Sequence, residues 1–329
     1  MNRRDSVVAL LVLGTAPLTL LAQQAGKIWR VGFLYTRAGP TPSSPDVYLD
    51  AFVQKMQQLG YVEGKNLAIE WRFADGHIER LPGFAAELAQ MKVDVIVTHS
   101  ILTTQAAQRA TSAIPIVFAS MTDPVAAGVV KSLARPEGNV TGRSLMSVDV
   151  SPKQVELLAS IIPKLSRIAF LRNPTAASHP AILKNTQAAA QLIGAKVLPV
   201  DALNTEEIER GFVTMAGWGA EAVIIPPDPI FTGQQLQIVQ LALKNRIPTV
   251  FGYRQAAEAG GLLSYGQDYV DYYQRAAGYV DKILKGAKPG DLPIEQPFTF
   301  DLVINLKTAK TLGIKISQSL LLRADRVIE

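Results

Sequence analysis

Residues 93–142 constrain the fold of this 329-residue chain more than any other stretch. Two apolar, β-branched runs, 93–97 and 114–118, have the length and composition of buried parallel strands. The small and polar residues between them, 103–111, are typical of a connecting helix. Because parallel strands need such a crossover connection, the stretch predicts an open α/β sheet.

The alternation of strands and helices continues on both sides of this stretch. A first series of about five predicted strands ends near residue 145, and a second series begins with a helix at 151. A late strand at 298–304 follows, and the tail, 319–329, is predicted to form an amphipathic helix. The predicted architecture is two successive α/β units, each with a parallel sheet and right-handed crossovers.

Composition excludes several classes of function. Apolar residues make up 48% of the chain and charged residues 19%, a balance typical of a globular protein. The formal charge of +5 is spread along the chain without a Lys/Arg run, so we expect no nucleic-acid partner. The absence of cysteine excludes disulfides, thiolate metal ligands and a cysteine nucleophile.

Sequence motifs of catalysis and of metal binding are missing. The chain has no G-x-S-x-G, H-E-x-x-H or Walker A motif, and no nucleophile with a base partner is visible. The histidines, His77, His99 and His179, are far apart in sequence and lack the spacing of metal ligands. We therefore expect a protein that is not an enzyme and that holds no metal and no cofactor.

The N-terminus has the features of a secretory signal peptide. Arg3 and Arg4 precede an apolar run, residues 7–21, that ends in small residues. The run is shorter than the ~20 residues that a membrane-spanning helix needs. Removal after Ala22 or Ala25 would leave no cysteine for a lipid anchor, so we expect export to the periplasm without one. The Sec and Tat routes both stay open.

Polar side chains cluster where the predicted strands end. In an open α/β sheet, ligands bind beyond the carboxyl ends of the strands, beside helix N-termini. Hydroxyl groups and helix N-termini suit a carboxylate, and a lone aspartate suits an ammonium group, so an α-amino acid zwitterion would fit a cleft between the two units. The candidate ligand-binding residues are Tyr35, Thr36, Ser100, Thr103, Ser120 and Thr122 in the first unit and Asn173, Ser178, Asp228, Tyr253 and Gln267 in the second.

Each of these residues also suits a helix cap or a turn, and the sequence leaves both interpretations open. Asp123 precedes Pro124 in the order of an N-cap, which favours a structural role there. Asp228 directly follows a predicted strand and lies between prolines, which favours a rigid carboxylate that faces a ligand. For the tyrosines of a predicted helix at 269–285, packing against a sheet is favoured over a ligand role.

Several segments together resemble a known family. The segments are IPIVFASMTDPVAAGVVKSLARPEGNVTG, PPDPIF, VFGYRQAAEAGGLLSYGQDYVDYYQRAAGYVDKIL and the closing TAKTLGIKI. They resemble the bacterial ABC-transporter substrate-binding protein family of the type I periplasmic-binding fold, and in particular its subgroup that binds aromatic amino acids such as tryptophan. The loop TRAGPTPSSP, residues 36–45, departs from the pattern common in the family, which leaves room for a different side-chain pocket and a different ligand.

The resemblance implies an α/β fold of two doubly wound parallel-sheet domains joined by a hinge of three crossovers. The ligand would bind between the domains and close them about the hinge. The implied N-terminal lobe comprises residues 26–147 plus 268–290, and the C-terminal lobe comprises 148–267 plus 291–329. Residues 1–25 would be the signal peptide.

The resemblance also implies a function. Ser100, Thr103, Ser120 and Thr122 would hold a ligand carboxylate. Asp228 would hold the amine of the same ligand. The chain is then a monomeric solute receptor of the periplasm that delivers a small carboxylate-bearing ligand, an amino acid or a relative, to ABC permease subunits in the inner membrane. The alternative on the same fold is a ligand-sensing partner of a membrane receptor or sensor kinase.

Overall fold

Two β-sheets with helices on their faces make up the fold. The structure, a computed structural model, describes residues 27–42, 45–145, 147–296 and 300–329. The predicted signal peptide, residues 1–25, lies outside the described residues. Within the described part, no helix is both long enough and apolar enough to cross a membrane.

The first sheet is parallel throughout. Its strands are β1 (Trp29–Tyr35), β2 (Leu67–Phe73), β3 (Val95–Thr98), β4 (Ile116–Thr122) and β5 (Val140–Leu145). The helices between them are α1 (Val47–Gln58), α2 (Leu81–Gln90) and α3 (Ile101–Ala110), with a short 3-10 helix at Ile78–Arg80. The spatial order is β2-β1-β3-β4-β5, and because all neighbours pair in parallel, the carboxyl ends of the strands share one edge.

The second sheet is mixed, with seven strands in the described part of the chain. The strands are β6 (Arg167–Arg172), β7 (Lys196–Asp201), β8 (Ala222–Ile225), β9 (Thr249–Tyr253), β10 (Leu263–Gln267), β11 (Asp301–Asn305) and β12 (Arg326–Ile328), in the order β12-β11-β10-β9-β8-β6-β7. The helices of this half are α4 (Ser147–Ile161), α5 (His179–Leu192), α6 (Thr205–Trp218), α7 (Pro229–Gly233), α8 (Gln235–Lys244), α9 (Arg254–Glu258), α10 (Tyr269–Leu284), α11 (Leu306–Leu312) and α12 (Gln318–Leu321).

The alternation predicted from the sequence is confirmed, and two details near the C-terminus differ. Strand β11 runs antiparallel to β10. The chain enters β11 from the first sheet and not over a crossover helix of its own sheet, so the crossover rule does not set its direction. The helix predicted at 319–329 is wrong beyond α12, because the residues after it pair with β11. Asp325 N–H donates to Leu302 O (2.9 Å), and its carboxylate accepts from Leu302 N (2.8 Å).

Helix α10 returns from the second sheet to the first. It packs against α1, β3, β4 and β5. The hydroxyl of Tyr61 donates to Asp281 on this helix at 3.0 Å. The amphipathic pattern of the helix explains the packing, since one side carries buried aromatic rings. These are Tyr269, Tyr272, Tyr273 and Tyr279.

One hydrophobic core extends from the first sheet through α10 to the second sheet. It contains Phe33 and Phe52 from the first sheet and its helices, and Phe231 and Phe251 from the second, all fully buried. Strands β3, β4 and β8 are buried along their whole length, as expected for parallel strands covered on both faces. The two sheets and their helices are therefore in direct contact.

A buried arginine joins three segments where the chain passes between the sheets. Arg143 on β5 bonds Asp271 on α10 and lies 4.3 Å above the ring of Tyr272. Its Nε lies 4.0 Å from Glu295, whose carbonyl accepts from the backbone N–H of Ser144 (2.9 Å). Glu295 therefore lies against the first sheet, although the lobe division taken from the sequence places everything after 290 in the second lobe.

A pair of glycines lets β9 and β10 approach each other near their carboxyl ends. A Cβ on Gly266 would lie 1.8 Å from the carbonyl oxygen of Gly252.

We expect Gly266→Ala to lower the free energy of unfolding by about 3 kcal/mol, because the backbone has to move. Gly278→Ala in α10 is the matched control. Nothing in the described chain lies within 4 Å of that Cβ, and alanine should raise the free energy of unfolding by about 1 kcal/mol. Urea denaturation measures both, and equal stabilities would contradict the close approach.

Candidate functional site

The loops that follow the strands of both sheets meet at one place. Arg37, shortly after β1, lies against Gly233 at the end of α7, where a Cβ would be 3.2 Å from Arg37 Cδ. Aromatic rings continue this contact: the ring of Tyr269 lies 5.9 Å from that of Tyr48 and 5.6 Å from that of Tyr253. The carboxyl ends of the two sheets therefore face each other with these side chains between them.

A carboxylate, Asp46, holds Arg37 in this position. Its Oδ1 caps α1 by accepting from the backbone N–H groups of Tyr48 (3.0 Å) and Leu49 (3.2 Å). Its Oδ2 accepts from Arg37 Nη2 (2.9 Å) and from the hydroxyl of Tyr35 (3.1 Å). One side chain thus both starts the helix and orients the guanidinium.

The surroundings of Arg37 keep its side chain charged. Burial alone would lower the pKa of the guanidinium, but the neighbouring Tyr35 and Asp46 more than offset burial and raise it. Burial raises the pKa of the Tyr35 hydroxyl to about 12, so this group stays neutral and accepts from Arg37 Nη2. Tyr273 donates to the same oxygen at 3.2 Å. Tyr35, which is fully buried, therefore supports Arg37 from within the protein.

A second carboxylate, Asp228, is buried on the side of the second sheet. It caps α7 by accepting from Ile230 N (2.8 Å), and Asn173 Nδ2 donates to its other oxygen at 3.0 Å. His179 Nε2 lies 3.8 Å from that oxygen, and burial lowers the pKa of this imidazole, so it is neutral near pH 7. The Asp228 side chain is 2% exposed, and among the described residues no Lys or Arg lies within 4.0 Å of its carboxylate. Asp228 is therefore a helix cap and also a buried anion without a cationic partner.

The hydroxyls predicted at the start of α3 bond within the protein. Ser100 and Thr103 form a capping box. The Thr103 hydroxyl accepts from the backbone N–H groups of His99 (3.3 Å) and Ser100 (3.1 Å) and donates to Ser100 O (3.1 Å). Thr103 is fully buried and its hydroxyl has no capacity left for a ligand, which corrects its predicted ligand contact to a cap.

The other predicted hydroxyls vary in their surroundings. Thr36 Oγ1 lies 3.1 Å from His99 Nε2, and Ser120 Oγ lies 3.4 Å from the carbonyl oxygen of the same histidine and donates to it. Thr122 Oγ1 lies 3.4 Å from a serine hydroxyl of α4. Ser178 is half-buried and makes no side-chain cap bond to α5. A direct ligand contact at these four positions stays a prediction.

Two buried polar side chains at the site lack partners within the described structure. Gln267, at the end of β10, is 1% exposed, and neither atom of its amide group has a hydrogen-bond partner. It pairs in register with Tyr253, so both side chains project from the same face of the sheet. The hydroxyl of Tyr48 is likewise buried without a partner. Because burying such groups unbonded costs free energy, both are candidate ligand contacts.

Arg37 and Tyr48 are not among the ligand-binding residues predicted from the sequence. Arg37 lies in the loop that departs from the family pattern, two residues after a buried strand, and is therefore at a strand end like the predicted hydroxyls. Its pairing with Asp46 and its approach to Gly233 are contacts that spacing does not reveal. Over the described ranges, no group of three or more His, Asp or Glu side chains is placed to hold a metal ion.

Comparisons with known proteins identify the family of this chain. The family described as ABC transporter substrate binding protein matches residues 43–328. A tyrosine-binding protein from Clostridioides difficile (strain R20291) is 27% identical over 265 residues, which cover 80% of this chain and 76% of the relative.

Two solved structures each align over 92% of this chain and 100% of their own length. One is a conserved domain protein from Vibrio cholerae (29% identity, TM-score 0.83), and the other is an ABC domain from Streptococcus pneumoniae in complex with L-Trp (26% identity, TM-score 0.80). The chain therefore belongs to the family of ABC transporter substrate-binding proteins.

Proposed function

We propose that this substrate-binding protein is the receptor of an ABC importer and binds an α-amino acid as a zwitterion between its two sheets. The observation that carries the proposal is a pair of fixed charges at the site, Arg37 on the side of the first sheet and Asp228 on the side of the second. Arg37 would hold the carboxylate and Asp228 the ammonium group. The tyrosine and the tryptophan named for two relatives support an amino acid as the ligand.

The charges of Arg37 and Asp228 lie beside the same short helix, α7. Asp228 caps the N-terminus of α7, and Arg37 approaches Gly233 at the other end of this five-residue helix. Arg37 bonds Tyr35 and Asp46 through Nη2, which leaves N–H groups on Nε and Nη1 that can each donate a charge-assisted hydrogen bond to a carboxylate oxygen. An ammonium group would supply the cation that Asp228 lacks.

Aromatic rings favour an aromatic side chain on the ligand. Tyr253 and Tyr269 stack with their planes at 6°, and Tyr48 meets Tyr269 edge-on. A further ring would pack on these surfaces in offset or edge-to-face geometry. The amide of Gln267 and the hydroxyl of Tyr48 offer hydrogen bonds to a polar substituent. L-Tyrosine and L-tryptophan are therefore the first probes.

The remaining parts of the proposal concern location and partners. Proteins of this family act outside the cytoplasm. We propose export through a signal peptide, residues 1–25, and residence in the periplasm without a lipid anchor. A monomer would deliver the unaltered ligand to permease subunits in the inner membrane. The proposed lobes are 26–147 with 268–290 and 148–267 with 291–329. The packing of α10 against the first sheet supports the return near 268, whereas the contacts of Glu295 with β5 favour a last crossover beyond residue 295.

A thermal-shift screen of the mature protein tests the ligand class. We expect L-tyrosine or L-tryptophan to raise the melting temperature, because a ligand at 100 times its Kd adds about 2.7 kcal/mol to the free energy of unfolding. That gain corresponds to a shift of about 4 °C for a chain of this size. Sugars, purines and simple carboxylates serve as comparison ligands. A shift with a sugar and none with any amino acid would contradict the proposal.

Closure of the two sheets on the ligand makes Gly233 a sensitive position. A leucine side chain here would occupy the place of Arg37 and hold the sheets apart. We expect Gly233→Leu to weaken L-tyrosine binding about tenfold or more, since only a closed protein is competent to bind tightly. The free energy of unfolding of the variant should stay within about 0.5 kcal/mol of that of the wild type.

The control is Gly217→Leu on α6, an exposed position whose Cβ would have nothing described within 4 Å outside its own helix backbone. Calorimetric titration that finds equal affinities would show that closure does not require this contact.

A further inference from the structure

His179 is fully buried next to the proposed amine site, and the function proposed above gives it no role. It is the first residue of α5, and its side chain is 0% exposed. Its ring stacks on Phe231 with centroids 6.0 Å apart and meets Phe170 edge-on at 6.3 Å. Because a buried imidazole needs hydrogen-bond partners, its polar contacts indicate what it does.

We propose that His179 is a positioning residue that aims the carboxylate of Asp228 at the ammonium group of the ligand. This inference rests on the proposed function, since it assigns a residue to the amine side of the same site. His179 acts on the ligand only through Asp228.

The hydrogen bonds of His179 select one tautomer. Nδ1 accepts from the backbone N–H of Asn173 (2.9 Å), so the ring proton lies on Nε2. Nε2 lies 3.5 Å from Pro227 O and 3.8 Å from Asp228 Oδ2. The N–H group therefore faces both the peptide that precedes Asp228 and the carboxylate itself.

The same ring fixes the loop after β6. Asn173 Oδ1 accepts from the backbone N–H (2.9 Å) and the hydroxyl (2.8 Å) of Thr175, which leaves Nδ2 to donate to Asp228 at 3.0 Å. His179 thus holds the backbone of Asn173 while the side chain of Asn173 holds the carboxylate. Together with the cap bond from Ile230 N, these contacts determine where the remaining lone pairs of Asp228 point.

A neutral histidine suits this role better than a cation would. Burial lowers the pKa of His179, and the nearby Asp228 opposes this only in part. The ring can then orient the carboxylate without cancelling its charge, which stays available for an ammonium group. A lysine or arginine in this place would satisfy Asp228 within the protein.

Two substitutions distinguish the roles of Nδ1 and Nε2 of His179. His179→Asn places an amide oxygen near the position of Nδ1 and removes Nε2, whereas His179→Gln places an amide nitrogen near Nε2 and removes the acceptor at Nδ1. The probes are L-tyrosine and 3-(4-hydroxyphenyl)propionate, its counterpart without the amine. We expect His179→Asn to weaken L-tyrosine binding about tenfold and to leave the deaminated acid within about twofold. His179→Gln should restore L-tyrosine affinity to within about threefold of wild type.

Four results would overturn the positioning role. A purely structural residue would lower both affinities together, and an inert one would change neither. A separate test needs neither ligand nor variant. ¹⁵N NMR of the wild-type protein at pH 7 should show that Nε2 of His179 is protonated and Nδ1 is not. The reverse tautomer would contradict the geometry. If the wild-type protein shows this tautomer but binds the deaminated acid as tightly as L-tyrosine, recognition of the amine is absent. The proposed function then fails, and the positioning role fails with it.

Discussion

Replacing Arg37 with glutamine is expected to weaken the binding of L-tyrosine at least 100-fold. The change removes the positive charge near the end of β1 and leaves both Asp46 and the ligand carboxylate without a cation. Truncating one partner of a buried, hydrogen-bonded charge pair costs about 3 kcal/mol, which corresponds to more than 100-fold in Kd. Calorimetric titration of the mature protein measures the affinity, and urea denaturation checks that the variant folds.

Two further variants sharpen this test. Arg72→Gln on β2 removes an arginine whose partner, Glu87, lies at the surface, so affinity should not change. Arg37→Lys should recover only part of the affinity, because a single ammonium nitrogen cannot replace a planar guanidinium that bonds Tyr35 and Asp46 through one nitrogen and the ligand through another. If Arg37→Gln binds like the wild type while Ser100→Ala does not, the carboxylate lies at the start of α3, as the sequence alone suggests.

Most of the fold follows from local sequence pattern. The runs predicted as strands at 93–97 and 114–118 correspond to Val95–Thr98 and Ile116–Thr122, because apolar β-branched segments of this length suit strands buried on both faces. The direction of β11 did not follow. Strand β11 lies between β10 and β12 because the chain passes through α10 to the first sheet and then returns to the second. No local sequence pattern indicates this long-range path.

The candidate site was predictable in its place but not in its detail. Polar residues that follow predicted strands are expected at the carboxyl edge of a sheet, and this is the edge where the two sheets meet. For Ser100 and Thr103, the S-x-x-T spacing is itself a local cap pattern, and the cap is what the structure shows. The approach of Arg37 to Gly233 joins loops of different sheets. The orientation of Gln267 depends on an irregular pairing of β10 with β9. Contacts of this kind arise only from tertiary packing.

Asp228→Asn is expected to abolish tight binding of L-tyrosine while leaving the fold intact. Asparagine caps helices about as well as aspartate, so α7 should keep its bond from Ile230 N. The change removes a buried charge that lacks a cationic partner, but it also turns the oxygen that accepts from Asn173 Nδ2 into an amide nitrogen. The two effects oppose each other, so the free energy of unfolding should change by no more than about 1 kcal/mol. Affinity for L-tyrosine should fall about 100-fold, because the ammonium group loses its counter-charge. Titration calorimetry and urea denaturation of the same preparation measure the two quantities.

Asp123→Asn is the matched control, because Asp123 and Pro124 repeat the order of Asp228 and Pro229. Asp123 is exposed, and within the described residues its carboxylate accepts a single bond, from the backbone N–H of Ala126 (3.0 Å). Its replacement should therefore change neither stability nor affinity by more than about 0.5 kcal/mol. If Asp228→Asn lowers stability and affinity by the same free energy, Asp228 acts as a cap alone. Lost affinity at unchanged or higher stability would instead identify a carboxylate that destabilises the empty protein, because its charge is compensated only by the ligand.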